Sequence, residues 1–371
     1  MEFVISALVL MLMLRFRIGV IFAQWAERVS QRRVVQAFTF TPLLVLLLVV
    51  LLLPADIYRH SLSMRYGLSI QGWQSWFWDW TKFQLVLLIL AAFTSWILYT
   101  IIRKSPRRWW FYFWLASLPL GLFLVFFQPL IFDPLFHKFE PLAQKEPVLA
   151  NKLQKLVART GENIPPERMF WMEAGNKTTT LNAYVTGFGA SKRVVVWDTT
   201  ISKMTTPQIV FVAGHELGHY VLHHILKGLL VGAIALLGCF YVGKLLATWL
   251  IKRKGNDWQI HNVADWSSMP LLLLLFTVLS FLMNPIASST SRYFEHQADQ
   301  YALEVTHGLI ADSNQVGAQA FQLLGNFGLA DPDPNPVDVF LFYDHPPIVE
   351  RVEFSLHYDP WSKGEAPAFV K

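Results

Sequence analysis

The chain has 371 residues, of which 54% are hydrophobic and 15% aromatic, while only 15% are charged. That is too much apolar surface for an ordinary soluble domain, and it points to the bilayer, with membrane lipid as an expected partner. The net charge of +5 is small for this length and no basic tract is interleaved with aromatics, which sets nucleic acid aside.

Residues 3–14 are apolar and are then interrupted by Arg15 and Arg17, so residues 3–23 read as a short or tilted first span. Glu2 stands where a signal peptide carries positive charge, and no small-residue cleavage site follows. Clearer apolar runs cover residues 37–57, 83–102, 109–132, 225–251 and 269–288. Each approaches or exceeds the roughly 20 residues that cross a bilayer, so five or six spans are expected. Trp73, Trp76, Trp78, Trp80, Trp109 and Trp110 gather at run ends, as interfacial belts do. The lone cysteine, Cys239, sits in an apolar run; it excludes an intramolecular disulfide and a cysteine-built metal site.

A polar insert spans residues 133–224. Leu149, Leu153, Leu156 and Val157 have helical spacing closed by Gly161. Residues 168–174 and 181–186 read as strands, and a turn through Gly187-Phe188-Gly189-Ala190 leads to a Val-rich strand at 193–198. After the last span come helical stretches near 291–307 and 312–325 and a Pro-broken loop at 331–336. The expected organisation is a transmembrane region at 1–132, a catalytic insert at 133–224, a transmembrane pair at 225–290 and a helical region at 291–371.

The sharpest local signal is His215-Glu216-Leu217-Gly218-His219. With Thr206 as cap and Pro207 at the first position, it belongs on a helix, where residues four apart share a face. Both imidazoles can then meet one zinc ion, with Glu216 beside it to take a proton from water and deliver it to the leaving amine. A catalytic zinc wants a third protein ligand and an open position. Ile225 stands where a third metzincin histidine would be, so the candidate is Glu295 in Arg292-Tyr293-Phe294-Glu295-His296-Gln297-Ala298-Asp299. Asp299 shares its helix face and can accept a hydrogen bond from a ligand histidine. Ala298 and Ala302 are small enough to admit the other helix. The bland reading is an exposed helix with an Arg–Glu pair.

Further blocks are Phe132-Asp133-Pro134-Leu135-Phe136-His137-Lys138-Phe139-Glu140-Pro141-Leu142, Asn182-Ala183-Tyr184, and His345-Pro346-Pro347-Ile348-Val349-Glu350-Arg351. With the two motifs above, these resemble the type I CAAX prenyl endopeptidases, membrane zinc proteases of the gluzincin type. The resemblance covers most of the chain from about Arg65. It implies one zinc on His215, His219 and Glu295, Glu216 as base, and Asp299 supporting the ligands. It further implies that Asn182, with Ala183, holds substrate backbone on a hairpin edge, that His345 stabilises the oxyanion with Arg351 in support, and that Arg292 stands behind the residues that meet metal and substrate. The implied substrate is a peptide, prenylated at a C-terminal cysteine. Family members have seven spans around a chamber in the membrane, of which this chain is expected to lack the first. The fold class is therefore mainly α, a polytopic membrane protein with transmembrane helices around a zincin-like α+β unit carrying a small β-hairpin sheet.

The residues alone agree where they reach. A strand edge near the metal suits an extended peptide, and prolines after His345 place it rigidly. His223 lies on the metal-facing stripe, but it and His224 read as packing or interfacial residues, as do His261, His296, His307 and His357. Lys and Arg crowd the connections at 15–33, 103–108 and 252–254. The positive-inside rule puts these in the cytoplasm of a cell inner membrane and the metal site outside, whereas the resemblance puts the site on the cytosolic side. Three alternatives stand beside the CAAX-type reading: a general protease of membrane-protein quality control, a site-two-type intramembrane protease, and a scaffold or transporter with a structural metal. The polar residues around the motif and the absence of an aspartate after Asn284-Pro285 weigh against the site-two type, and the lack of a fourth ligand weighs against the structural metal.

Overall fold

The computed structural model describes residues 2–187 and 189–370, so Phe188 of the expected Gly-rich turn lies outside it. In chain order the N-terminal half forms α1 (Glu2–Arg15), α2 (Ile18–Val29), α3 (Arg33–Arg65), α4 (Trp73–Lys104), α5 (Trp109–Ile131) and the short α6 (Asp133–Phe136). There follow β1 (Phe139–Pro141), α7 (Leu142–Lys145), α8 (Pro147–Thr160), β2 (Met169–Met172), β3 (Ala183–Thr186), β4 (Arg193–Trp197) and α9 (Asp198–Lys203). The rest is helical: α10 (Thr206–Val221), α11 (His224–Trp258), α12 (Met269–Thr306), α13 (Ser313–Gly328), α14 (Pro336–Phe342) and α15 (Ile348–His357). Among the described residues, α3, α4, α5, α11 and α12 have the length and apolarity of spans. The pair α1 and α2, bent by 64°, makes a sixth if counted as one broken span. The chain is a multi-pass membrane protein with five to six spans.

Two compact units can be distinguished. The first comprises Met1–Leu62, Trp73–Gly121 and Val231–Met283. Its core gathers Phe40, Leu44, Tyr99, Ile102, Trp109 and Trp266. The Trp266 indole donates to Gln36 at 3.1 Å, which satisfies both polar groups inside this apolar cluster. Not every tryptophan at a run end faces outward. Trp109 is buried in this core, and Trp76 stacks on His60 at 4.9 Å.

The second unit, Ser63–Gly72, Leu122–Leu230 and Asn284–Lys371, holds the chemistry-bearing motifs. Its sheet runs β1-β2-β4-β3: β3 pairs with β4 and β1 with β2, both antiparallel, while β2 and β4 are parallel. The β3–β4 pair is the expected hairpin. The three expected strands are all present; β1 and the parallel β2–β4 pairing are additions, so the sheet is mixed and four-stranded. The Asp133 carboxylate ties α6 to this sheet by accepting from the Tyr184 hydroxyl at 3.0 Å and from Arg193 at 3.1 Å. Amphipathic α8 buries Leu149, Leu153, Leu156 and Val157, and Gly161 follows in the left-handed conformation that ends a helix. This face packs in one core with Val210, Phe211, Leu217 and Tyr301. Full burial of each such side chain contributes roughly 1.5–3 kcal/mol.

Candidate active site

Helix α10 begins with a capping box, in which the Gln208 side chain accepts from the Thr205 backbone N–H at 2.8 Å. The cap is therefore Thr205 and not Thr206 as expected, because only Thr205 has a glutamine three residues on to close the box. Close approach of α10 and α12 then depends on missing side chains. A Cβ on Gly218 would stand 3.0 Å from the Tyr301 ring, and one on Gly214 would stand 3.2 Å from Val305 Cγ1. Across the seam Ala298 and Ala302 are both fully buried.

That seam brings the expected ligands together. His215 Nε2 and His219 Nε2 are 3.2 Å apart, and the Glu295 carboxylate lies 3.2 Å from the first and 3.3 Å from the second. Donor atoms 2.0–2.1 Å from a tetrahedral zinc ion stand roughly 3.3 Å from one another. Glu295 Oε2 is buried and makes no hydrogen bond of normal geometry, although nitrogens of His215, His345 and Arg351 surround it at 3.2 to 3.6 Å. Burial works against a charge on His215, yet Glu295 and Asp299 outweigh it and raise its pKa to about 10. The two carboxylates thus favour positive charge at the place where His215 and His219 converge. His215, His219 and Glu295 fit a metal, as a set whose donor atoms all lie within 4.8 Å of one another.

Asp299 stands behind His215, with Oδ1 2.8 Å from the ring Nδ1. Arg351 donates to both Asp299 oxygens, at 2.8 and 2.6 Å. Glu216 is half-buried beside the ligands; desolvation raises its pKa, opposed by the nearby His215 and His219. His345 brings Nε2 to 3.3 Å from Glu295, and its Nδ1 lies 2.8 Å from the Asp344 carboxylate. The hydrogen bond to Asp344 outweighs burial and holds His345 above the ordinary imidazole value. Among the described residues, Arg292 forms no hydrogen bond or ion pair with the three ligands. It donates instead to the Val339 and Tyr343 carbonyls at 2.7 and 2.6 Å, which fixes the segment leading to His345.

Asn182 is exposed just before β3, with its backbone N–H and carbonyl both bonded to Thr200 Oγ1, at 2.8 and 2.7 Å. Ala183 faces the core, so it has only backbone to offer at that edge. On its far side β3 has no strand partner among the described residues.

Two site residues escaped the sequence reading. Asp344 was legible only as the acidic neighbour of His345. His224, expected to serve packing or the interface, does pack on Phe294, but it also reaches the site, with Nδ1 3.2 Å from His219 Nδ1. His223, placed on the metal-facing stripe by helical periodicity, takes a left-handed conformation (φ 58°) between α10 and α11 and is exposed. His296 and His307 do pack as expected, on Phe354 and Trp361.

A multi-pass helical chain in which an HExxH helix meets a glutamate from a second helix defines a membrane metalloprotease. Residues 143–358 match the model of peptidase family M48, and residues 1–138 match one described as CAAX prenyl protease N-terminal, five membrane helices. The chain belongs to peptidase family M48. It is 37% identical over 336 residues to the uncharacterized metalloprotease YhfN of Bacillus subtilis, covering 89% of this chain and 75% of that one. It is 30% identical over 277 residues to a CAAX prenyl protease 1 homolog of Dictyostelium discoideum, covering 72% of this chain and 59% of that protein. The fold is that of the crystal structure of S. mikatae Ste24p, with a TM-score of 0.74 and 23% identity over 91% of this chain and 79% of the other.

Proposed function

We propose that this M48 protease is a zinc endopeptidase acting on a peptide laid along β3, and that its substrates are prenylated at a C-terminal cysteine. The observation that carries the zinc assignment is the ligand set itself: two imidazoles and one carboxylate at 3.2 to 3.3 Å, with an ion's place among them. When bound, the zinc supplies Lewis acidity and positive charge. Glu216 takes a proton from the attacking water and passes it to the departing amine. Its raised pKa makes it a stronger base than an exposed carboxylate for the first of these transfers. His345, whose protonated form the Asp344 hydrogen bond favours, donates a hydrogen bond to the oxygen on which charge develops. Asn182 and the free edge of β3 bind the substrate backbone by β-addition.

Support for a prenylated substrate comes from the relatives, several of which are named CAAX prenyl protease 1 homologs, and from the matching N-terminal region. The second reading is general proteolysis of membrane proteins, favoured by the higher identity to the bacterial metalloprotease YhfN than to the CAAX prenyl protease 1 homolog of Dictyostelium discoideum. The test is cleavage of a farnesylated CAAX peptide and its unprenylated twin by purified protein, with Glu216→Gln as the blank. Preference for the lipidated peptide supports the first reading, and equal cleavage supports the second. Zinc bound at one per chain supports the assigned metal, and its absence from folded protein overturns it.

A further inference from the structure

The two histidine ligands are held from behind by unlike partners. His215 faces the Asp299 carboxylate, itself paired with Arg351. His219 faces a neutral chain: its Nδ1 meets His224 Nδ1 at 3.2 Å, His224 Nε2 meets Gln297 Oε1 at 3.1 Å, and Gln297 Nε2 donates to the Tyr293 hydroxyl at 3.2 Å. His224 is 3% exposed and lies flat on Phe294, with ring centroids 4.5 Å apart and planes 10° apart. Its ring is therefore fixed in the orientation that serves His219.

The protons along this chain have one consistent arrangement. A metal on His219 Nε2 takes that lone pair, which leaves the ring proton on Nδ1. His224 Nδ1 must then accept, so the proton of His224 sits on Nε2, where Gln297 Oε1 accepts it. The Gln297 amide in turn directs its N–H groups to Tyr293. The opposite tautomer of His219 would point an N–H into the ligand set, at His215 and Glu295.

We propose that His224, oriented by Gln297, is a positioning residue that locks His219 in the tautomer presenting Nε2 to the metal. Being neutral, the relay does this without adding negative charge to a site that already holds Glu295 and Asp299. The inference rests on the reading of His215, His219 and Glu295 as zinc ligands.

The experiment uses the full chain in detergent and measures zinc affinity by chelator competition, cobalt(II) absorption and the unfolding temperature of the metal-free protein. His224→Phe keeps the stack on Phe294 but removes both nitrogens, and Gln297→Leu removes the final acceptor. Both are expected to weaken zinc binding about 10–100-fold, with an altered cobalt spectrum and an unchanged metal-free unfolding temperature. Gln297→Glu, a stronger acceptor for His224 Nε2, is expected to retain zinc at least as tightly as the parent. Should His224→Phe not fold, Gln297→Leu carries the test. Zinc affinity within twofold of the parent in the folded variant overturns the inference, as does a loss confined to metal-free stability. A parent chain that binds one zinc, lost in His215→Ala, keeps the ligand reading in place whichever way the variants fall. A parent that binds none overturns both.

Discussion

Arg351 meets both oxygens of Asp299, at 2.6 and 2.8 Å, with the arginine side chain 8% and the aspartate side chain 1% exposed. Such a pair contributes little net stability against an apolar substitute, but removing one partner leaves an uncompensated buried charge. Arg351→Met is therefore expected to destabilise the protein by about 3–5 kcal/mol, and Arg351→Lys by less, since it keeps the charge and loses the fork. Unfolding of metal-free protein in detergent checks this. Equal stability of Arg351→Met and parent would show that His215 alone compensates the Asp299 charge.

The Asp344–His345 pair sets a pH limit. His345 has a folded pKa raised above its usual value, chiefly by the Asp344 hydrogen bond, so its protonated form persists to higher pH than a free imidazole's. Activity that needs the protonated ring is complete below that pKa and falls as pH rises through it. Asp344→Asn removes the main cause, lowers the pKa, and is expected to move the alkaline limb of kcat/KM to lower pH. An unmoved limb would assign the oxyanion donor elsewhere.

Glycine spacing should govern metal retention without any ligand being touched. Gly218→Val places methyl groups against the Tyr301 ring, already 3.0 Å from the bare Cβ position, and is expected to force α10 and α12 apart. Overpacking of this kind costs about 1–3 kcal/mol, and here it acts on the distance between ligands. Gly228 has no neighbour within 4 Å of its Cβ position, so Gly228→Val is the matched control. Metal content after chelator challenge reads the difference; equal retention would show that the seam relaxes freely.

Glu216→Gln keeps the shape of the side chain but cannot accept the proton. The expected result is full metal content with kcat lowered at least 10²–10⁴-fold. Full turnover in this variant would remove Glu216 from the chemistry.

Some of this architecture could be read from local pattern alone. The apolar runs gave the membrane helices, and four-residue spacing put the paired histidines on one face and Glu295 with Asp299 on another. Helix α12 was less legible, since an apolar run at 269–288 and a polar stretch after 291 look like two elements. It is one helix of 38 residues passing through Pro285, because the change in composition marks a change of surroundings and the proline removes only one hydrogen bond of the helix. β1 is three residues long, and the parallel β2–β4 pair joins segments with β3 between them, so no local signal announces either. His224 was missed for a similar reason: a left-handed residue intervenes, and its partner Gln297 lies on another helix.

Between His219 and Glu295 the chain runs through α11 and the apolar part of α12. An ion gripped by both residues closes a loop that contains two membrane-length helices. The third ligand exists, as a ligand, only after the nascent chain has gone out and come back. A chain whose last helix failed to insert would offer the ion two histidines and no carboxylate, and would hold it weakly. Tight metal binding would thus follow insertion of both helices and would not precede it.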